Sequence, residues 1–299
     1  MNLVVSHWSA NVAVLAGCLL VTAVHLAGLL GLRADARHRG VPLPPGLGQQ
    51  AVAFYFGLLA VVIALVSPLG YYAGTFIWVR TLQALLLGIV APALLVLGAP
   101  WLVLWRGLGR RALPGTDDDS AAAAGSIPPR WRSWPVAVTA RFTLVWCGWY
   151  VPPLYDAGVH HPLVLAAQVV SYLGVGVLFW LQLIGSRPFS PQFGPLHRVM
   201  LITSCVVTGT ILGMVLGFDP HVLYPAYLGV GHHRVLSVPF DQQAGGAELW
   251  VLMLLPYMIT GISLLIQWVN QEDTGAVSLG LERILRPTKS TWPARTGWR

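Results

Sequence analysis

Long uncharged stretches recur along this chain at a length that suits helices crossing a membrane. A helix needs about 20 apolar residues to cross the hydrocarbon core of a bilayer. Backbone polar groups in lipid must be satisfied within their own segment, which excludes open sheets. The pattern therefore predicts an all-α, polytopic membrane protein with seven transmembrane helices. The seven predicted spans cover residues 10–32, 51–68, 76–98, 135–152, 162–184, 199–218 and 246–269.

Composition agrees with lipid as the main solvent of the chain. The 299 residues are 56% hydrophobic and 10% charged, and a soluble domain with this balance would expose large apolar patches. We predict one transmembrane domain over residues 1–270, interrupted by a flexible cytoplasmic loop at 107–134, and a basic cytoplasmic tail over 271–299. The first span is expected to be retained, because no Lys or Arg precedes it as in a signal peptide.

Prolines and glycines within the spans predict local features of the bundle. Pro92 and Pro256 lie inside the third and seventh spans, where a missing N–H and a bulky ring are expected to kink the helix. Gly209, Gly213 and Gly217 recur at every fourth residue of the sixth span. Such a stripe of small residues predicts the close approach of a neighbouring helix.

Positive charge predicts the orientation of the spans. Fifteen of the 18 Lys and Arg residues fall after the first, third and fifth spans or in the C-terminal tail, whereas the N-terminus and the other connections together hold only Arg234. The positive-inside rule then places the N-terminus outside the cytoplasm and the C-terminus inside. This topology accounts for the net charge of +7, so the lipid bilayer is the expected partner and nucleic acid is not required.

Histidines collect in the connections predicted to lie outside. Imidazole is a good ligand for copper or zinc, so this grouping supports a metal hypothesis. The alternative is that short polar connections simply use histidine as an interfacial residue, and adjacent histidines need not converge on one ion. The candidate ligands are His160, His161, His221, His232 and His233.

Ionisable residues inside the predicted spans form a second group. Charge in hydrocarbon is costly and usually points into the bundle. Arg80 and Glu248 lie at comparable depth, and Asp241 shares a helix face with Glu248. An ion pair of Arg80 with Glu248 or Asp241 is therefore predicted, with either a structural or a functional role. The candidate polar cluster comprises Arg80, Gln83, Tyr150, Asp156, Gln168, Asp241, Gln242, Gln243 and Glu248.

Several short motifs, taken in order along the helices, resemble the CtaG-like cytochrome c oxidase assembly factors of bacteria over about residues 10–270. This resemblance implies a seven-helix protein of the plasma (inner) membrane that helps to supply copper to the oxidase, with oxidase subunits as partners. The segments that carry it are Phe56-Gly57, Ser67-Pro68-Leu69, Val90-Ala91-Pro92, Leu97-Gly98-Ala99-Pro100, Trp149-Tyr150-Val151-Pro152, Leu154-Tyr155-Asp156, Phe179-Trp180 and Asp241-Gln242-Gln243 with Gly246 and Trp250.

The chain departs from this family at the positions that would bind copper. Where similar proteins have His-Met-x-x-His, this sequence has Arg80 to Ala84; Tyr150 replaces the histidine of Trp-His-x-Pro, and no histidine occurs near Gln168. The methionine before the last tryptophan is replaced by Leu249. A guanidinium repels a metal cation. We therefore predict that no copper binds within the bundle. Copper binding is expected only at the outward histidines.

The sequence thus predicts an assembly or accessory factor of a respiratory cytochrome c oxidase, without enzymatic chemistry. Common hydrolase motifs such as His-Glu-x-x-His and Gly-x-Ser-x-Gly do not occur. The alternative is a small transporter or proton-coupled carrier built around Arg80, Asp241 and Glu248, which solute or ion flux would distinguish from the first hypothesis.

Overall fold

Helices make up the architecture of the chain. The computed structural model describes residues 11–40, 42–109, 134–186, 189, 191, 193–229 and 236–285. A π-helical turn over Leu86–Val90 and a 3₁₀ turn over Pro225–Gly229 accompany the α-helices. The helices are α1 (Val12–Arg39), α2 (Leu47–Val66), α3 (Pro68–Tyr72), α4 (Ile77–Leu85), α5 (Ala91–Leu97), α6 (Trp101–Gly107), α7 (Trp134–Trp149), α8 (Pro152–His160), α9 (Pro162–Leu183), α10 (Pro195–Phe218), α11 (Val238–Val251) and α12 (Leu254–Leu285).

Within the described ranges, six helical segments are long and apolar enough to cross a membrane. This confirms the prediction of an all-α, polytopic membrane protein. The predicted span at 135–152 is also helical over Trp134–Trp149 (α7), and the residues directly before this helix lie outside the described ranges. The exact number of seven crossings, and their orientation, therefore stay predictions. Most of the predicted loop at 107–134 and the end of the tail lie outside the described residues.

Both prolines coincide with interruptions of a helix, as predicted. The π-helical turn ends two residues before Pro92, and the helix that begins the last span stops at Val251, so that α12 starts only at Leu254. The reason is the same in each case. A proline ring clashes with the carbonyl four residues earlier, at Gly88 and Leu252 respectively.

Glycines let α10 and α11 approach to backbone contact. A Cβ atom on Gly213 would lie 2.7 Å from the carbonyl oxygen of Gly246, and one on Gly246 would lie 2.6 Å from that of Gly213. Real Cβ atoms do not approach so closely. The predicted close packing against the glycine stripe is confirmed, and the partner helix is α11.

Replacing Gly213 with alanine should therefore destabilise the bundle, whereas Gly217→Ala should not. A Cβ on Gly217 meets no atom within 4 Å, and alanine there only improves helix propensity. Overpacking at Gly213 is expected to cost about 1–3 kcal/mol. Melting temperatures of the two purified variants in detergent would measure the difference. Equal melting temperatures would contradict the close α10–α11 contact.

Polar contacts separate the bundle into two ends. At one end, here called the basic end, Arg106 pairs with Asp35, and Arg198 donates to the Leu183 carbonyl at 2.8 Å. At the other, here called the tyrosine-rich end, α8 and the 219–229 segment cover the starts of α4 and α11, and four buried tyrosines fill the space between them. These are Tyr150, Tyr155, Tyr224 and Tyr227.

Candidate functional site

Arg80 occupies the centre of the tyrosine-rich end. It lies one turn into α4 and is 3% exposed. Its Nη1 donates to the Tyr155 carbonyl oxygen at 2.8 Å and to the Tyr227 hydroxyl at 3.3 Å, and its Nη2 donates to Oε1 of Gln168 at 2.9 Å. The guanidinium carbon lies 4.3 Å from the centre of the Tyr155 ring, a cation–π contact. Arg80 thus ties α4 to α8, α9 and the 3₁₀ turn.

The predicted ion pair of Arg80 with Asp241 or Glu248 is wrong: in the described part of the chain no ion pair joins these residues. The fully buried Asp241 carboxylate instead accepts from the backbone N–H groups of Ile77 at 2.8 Å and Trp78 at 3.0 Å. These are orphan donors at the first turn of α4, where the helix dipole favours an anion. Asp241 is a capping residue supplied by a different helix.

The neighbours of Asp241 serve different purposes. Gln242 is buried and fastens the 219–229 segment: its Oε1 accepts from Leu223 N–H, and its Nε2 donates to the carbonyls of Leu216 and His221. Gln243 is exposed on the surface of the bundle and does not join the polar cluster, because it follows two inward residues on the helix. Glu248 is half-buried, and its Oε2 has no hydrogen-bond partner.

Tyrosines form most of the wall around Arg80. Tyr155 and Tyr224 stack with ring centres 4.0 Å apart, and the Tyr224 hydroxyl donates to the Tyr150 carbonyl at 2.9 Å. Burial raises the pKa of the Tyr155 hydroxyl well above its ordinary value, so this phenol stays neutral beside the arginine. Sequence reasoning named Tyr150 as a site residue but not Tyr224 or Tyr227, since tyrosines near membrane interfaces are common.

A small cavity lies beside the guanidinium, with room for about one water-sized sphere. The predicted residues Arg80, Gln83 and Gln168 all line it, and Gln83 also donates from Nε2 to the Ala64 carbonyl at 2.8 Å. Its other walls were not predicted as site residues. They are Ala84, Leu87, Val169 and Tyr172.

The cavity does not fit copper. The family resemblance expects histidines at positions that the structure brings together here, namely those of Arg80, Ala84 and Gln168. The side chains present offer a cationic guanidinium, a methyl group and an amide. None of the lining residues carries the imidazole or thiolate that copper requires. The donor set of this cavity is therefore unsuited to copper, and the absence of copper from the bundle stays a prediction.

The outward histidines do not converge within the described residues. His160 and His161 are exposed at the end of α8. His221 is exposed, and its Nδ1 lies 3.1 Å from Oδ1 of Asp219. The same carboxylate oxygen accepts a hydrogen bond from the backbone N–H of His221. This backbone contact lowers the pKa of the Asp219 carboxyl. No group of three metal-binding side chains forms in the described ranges. The candidates His232 and His233 lie outside them.

Asp156 lies between the histidines and the arginine. It is half-buried on α8, and its Oδ1 has no hydrogen-bond partner. Burial raises the pKa of this carboxyl above its ordinary value, against weaker opposing effects of the Ala226 backbone N–H, of His160 and of the Arg80 charge. The charge of Arg80 therefore acts on Asp156 although the two residues form no ion pair. Asp156 lies at the rim of the site.

Comparisons with known proteins give matches to mycobacterial relatives and to a family model. An uncharacterized protein of Mycobacterium leprae is 27% identical over 256 residues, and one of Mycobacterium tuberculosis is 25% identical over 257 residues. These alignments cover 81% and 80% of this chain but 37% and 36% of the relatives, so the chain spans little more than a third of their length. No solved structure matches. The family model for the cytochrome c oxidase caa3 assembly factor matches residues 10–271, and the chain therefore belongs to this family of oxidase assembly factors.

Proposed function

We propose that this chain promotes the assembly of a caa3-type cytochrome c oxidase in a bacterial plasma membrane by binding oxidase subunits, without catalysing a reaction. The observation that carries this proposal is the family match over residues 10–271. The geometry supports a binding role, since the buried polar residues Arg80, Asp241 and Gln242 hold helices and connections in place. A rigid bundle of this kind is suited to presenting a fixed surface to a partner.

Copper handling, in this proposal, is confined to the tyrosine-rich end, which faces outward in the predicted topology with the N-terminus outside. The exposed histidines there are His160, His161 and His221, and imidazole suits copper. Because the described residues supply no three-ligand group, an oxidase subunit would complete the coordination during transfer. The Arg80 cavity takes no part in this step, since its charge repels a cation.

The alternative of a transporter or proton-coupled carrier gains no support from the described residues. That hypothesis places Arg80, Asp241 and Glu248 in one network. In the structure Arg80 binds Tyr155, Tyr227 and Gln168, whereas Asp241 caps α4. Solute or ion flux into vesicles that contain the purified protein would favour the carrier over the assembly factor.

Deleting the gene is expected to lower the amount of assembled oxidase more than the amount of an unrelated respiratory enzyme. Haem absorbance and oxidase activity of isolated membranes measure the first, and succinate dehydrogenase activity serves as the reference. Oxidase levels that stay unchanged in the deletion strain under copper limitation would count against an assembly role.

Complementation separates the binding and copper parts of the proposal. The wild-type chain should restore the oxidase at any copper supply. A variant with His160→Asn, His161→Asn and His221→Asn should restore it fully only when copper is added, because these side chains are exposed and their loss leaves the fold intact. Full restoration at low copper would show that these histidines do not handle the metal.

A further inference from the structure

The charge of Arg80 is not balanced by any contacting acid in the described part of the chain. Its guanidinium binds only neutral oxygens, on Tyr155, Tyr227 and Gln168. Its Nε–H group is buried and has no hydrogen-bond partner. A buried cation is expensive to maintain unless an anion and further hydrogen bonds compensate for the lost water. The arrangement is therefore incomplete as it stands.

The nearby acids are arranged so that they do not supply this balance. Asp241 directs its carboxylate to the backbone N–H groups of Ile77 and Trp78. Asp156 lies close enough to interact with the charge of Arg80 but not to contact it. The ion pairs among described residues join other groups, Arg106 with Asp35 and His221 with Asp219.

The cavity beside Arg80 presents hydrogen-bond donors and no carboxylate. The Tyr172 hydroxyl lines it beside Gln168, is buried, and has no acceptor for its O–H group. Oε1 of Gln168 is occupied by Arg80, which leaves the Nε2 group of this residue as a donor. Gln83 gives one Nε2–H bond to Ala64 and retains a second N–H. A cation with neutral donors around it is the chemistry of an anion site.

We infer that this cavity binds a small monovalent anion of halide size, with Arg80 as the charged ligand and Tyr172 as the principal neutral donor. The space holds about one water-sized sphere, so a single-atom ion such as chloride or bromide, which is larger than water, fits after small movements of the lining side chains, whereas sulfate, phosphate and gluconate are excluded. The anion completes the polar junction between α4 and α9. This inference does not depend on the role in oxidase assembly, and each can fail without the other.

The test uses the purified full-length chain in detergent, transferred to sodium gluconate. Sodium chloride or sodium bromide then replaces gluconate at constant ionic strength, while thermal unfolding is followed by tryptophan fluorescence. The wild-type melting temperature should rise with halide and saturate, whereas any rise in sodium sulfate, which stabilises folded proteins in general, should not saturate. An anomalous-scattering peak from bromide beside Arg80 in a crystal would identify the site directly.

Two matched phenylalanine variants locate the effect. Tyr172→Phe removes a donor from the cavity and should weaken half-saturation by halide about tenfold, the value of one hydrogen bond to an ion. Tyr257→Phe removes a buried hydroxyl that also lacks a partner but does not line the cavity, and it should respond like the wild type. Arg80→Gln should abolish the response; if that variant does not fold, the tyrosine comparison decides alone.

Three results would overturn the inference. The first is a wild-type melting temperature that is equal in halide and gluconate. The second is the same halide response in Tyr172→Phe as in the wild type. The third is a crystal in bromide whose cavity holds only water.

Discussion

Asp241→Ala is expected to lower the free energy of unfolding by about 2–4 kcal/mol, combining the loss of a helix cap with the loss of hydrogen bonds to a charged group. The buried N–H groups of Ile77 and Trp78 would lose their acceptor, and the positive end of the α4 dipole would lose its anion. Asp241→Asn keeps one acceptor oxygen and should lose less. Chemical denaturation of the detergent-purified variants would measure these differences.

Glu248→Gln is the control for this substitution. It neutralises an acid two turns further along the same helix, and the Oε2 atom of that acid has no hydrogen-bond partner. Its stability should therefore equal or exceed that of the wild type, because the substitution removes a partly buried charge that has no partner. If the two variants lose stability equally, the capping role of Asp241 is refuted.

Replacing three residues of the cavity with histidine is expected to create a copper site in the bundle. Arg80→His, Ala84→His and Gln168→His would place three imidazoles on one cavity, since all three positions line it, and would remove the guanidinium charge. Imidazole nitrogen is a suitable copper ligand. After loading with copper(I) and desalting, metal analysis should find close to one copper per chain.

Asparagine at the same three positions provides the control, because it removes the same charge and supplies amides instead of imidazoles. Its copper content should equal that of the wild type. A histidine variant that holds no more copper than the asparagine variant would show that the backbone positions no longer have the spacing of a metal site. The outcome therefore reports on geometry separately from ligand chemistry.

Much of the fold follows from the sequence because hydrocarbon leaves few alternatives. Helices were predicted wherever some 18 or more apolar residues ran together, and the structure has a helix in each place. Pro92 and Pro256 located the interruptions, since the steric clash of proline acts over a fixed number of residues. The end of α7 could not be predicted as well. Pro152 and Pro153 begin a new helix there, and the hydrophobic pattern does not show where one helix stops and the next begins.

The site was harder to predict than the fold. Depth in the membrane can be estimated from position along a span, and it groups Arg80 with Asp241 and Glu248; of these, Arg80 and Asp241 lie at the same end of α4. The direction in which each side chain points depends on rotation and packing of the helices, which the pattern does not give. A buried carboxylate can be stabilised by a helix N-terminus as well as by a cation. The carboxylate of Asp241 is bound by the N-terminus of α4.

The sequence also does not predict the role of the buried tyrosines, for a different reason. Tyr224 and Tyr227 belong to a connection of unremarkable composition, and their relevance arises only because that connection folds back over α8. Gln242 holds it there through two hydrogen bonds to its backbone, at Leu223 and His221, and a third to Leu216 in α10. Such contacts join residues far apart in the chain, so no local sequence pattern predicts them.

The π-helical turn over Leu86–Val90 affects how chain length can vary among related proteins. A π turn holds one more residue than an α turn, so losing a residue there would restore a continuous α-helix and leave both halves facing their present neighbours. Losing a residue elsewhere in the helix would rotate everything beyond it by about 100° and turn Arg80 away from the cavity or Pro92 away from α9. Single-residue deletions in homologous helices should therefore fall within this turn.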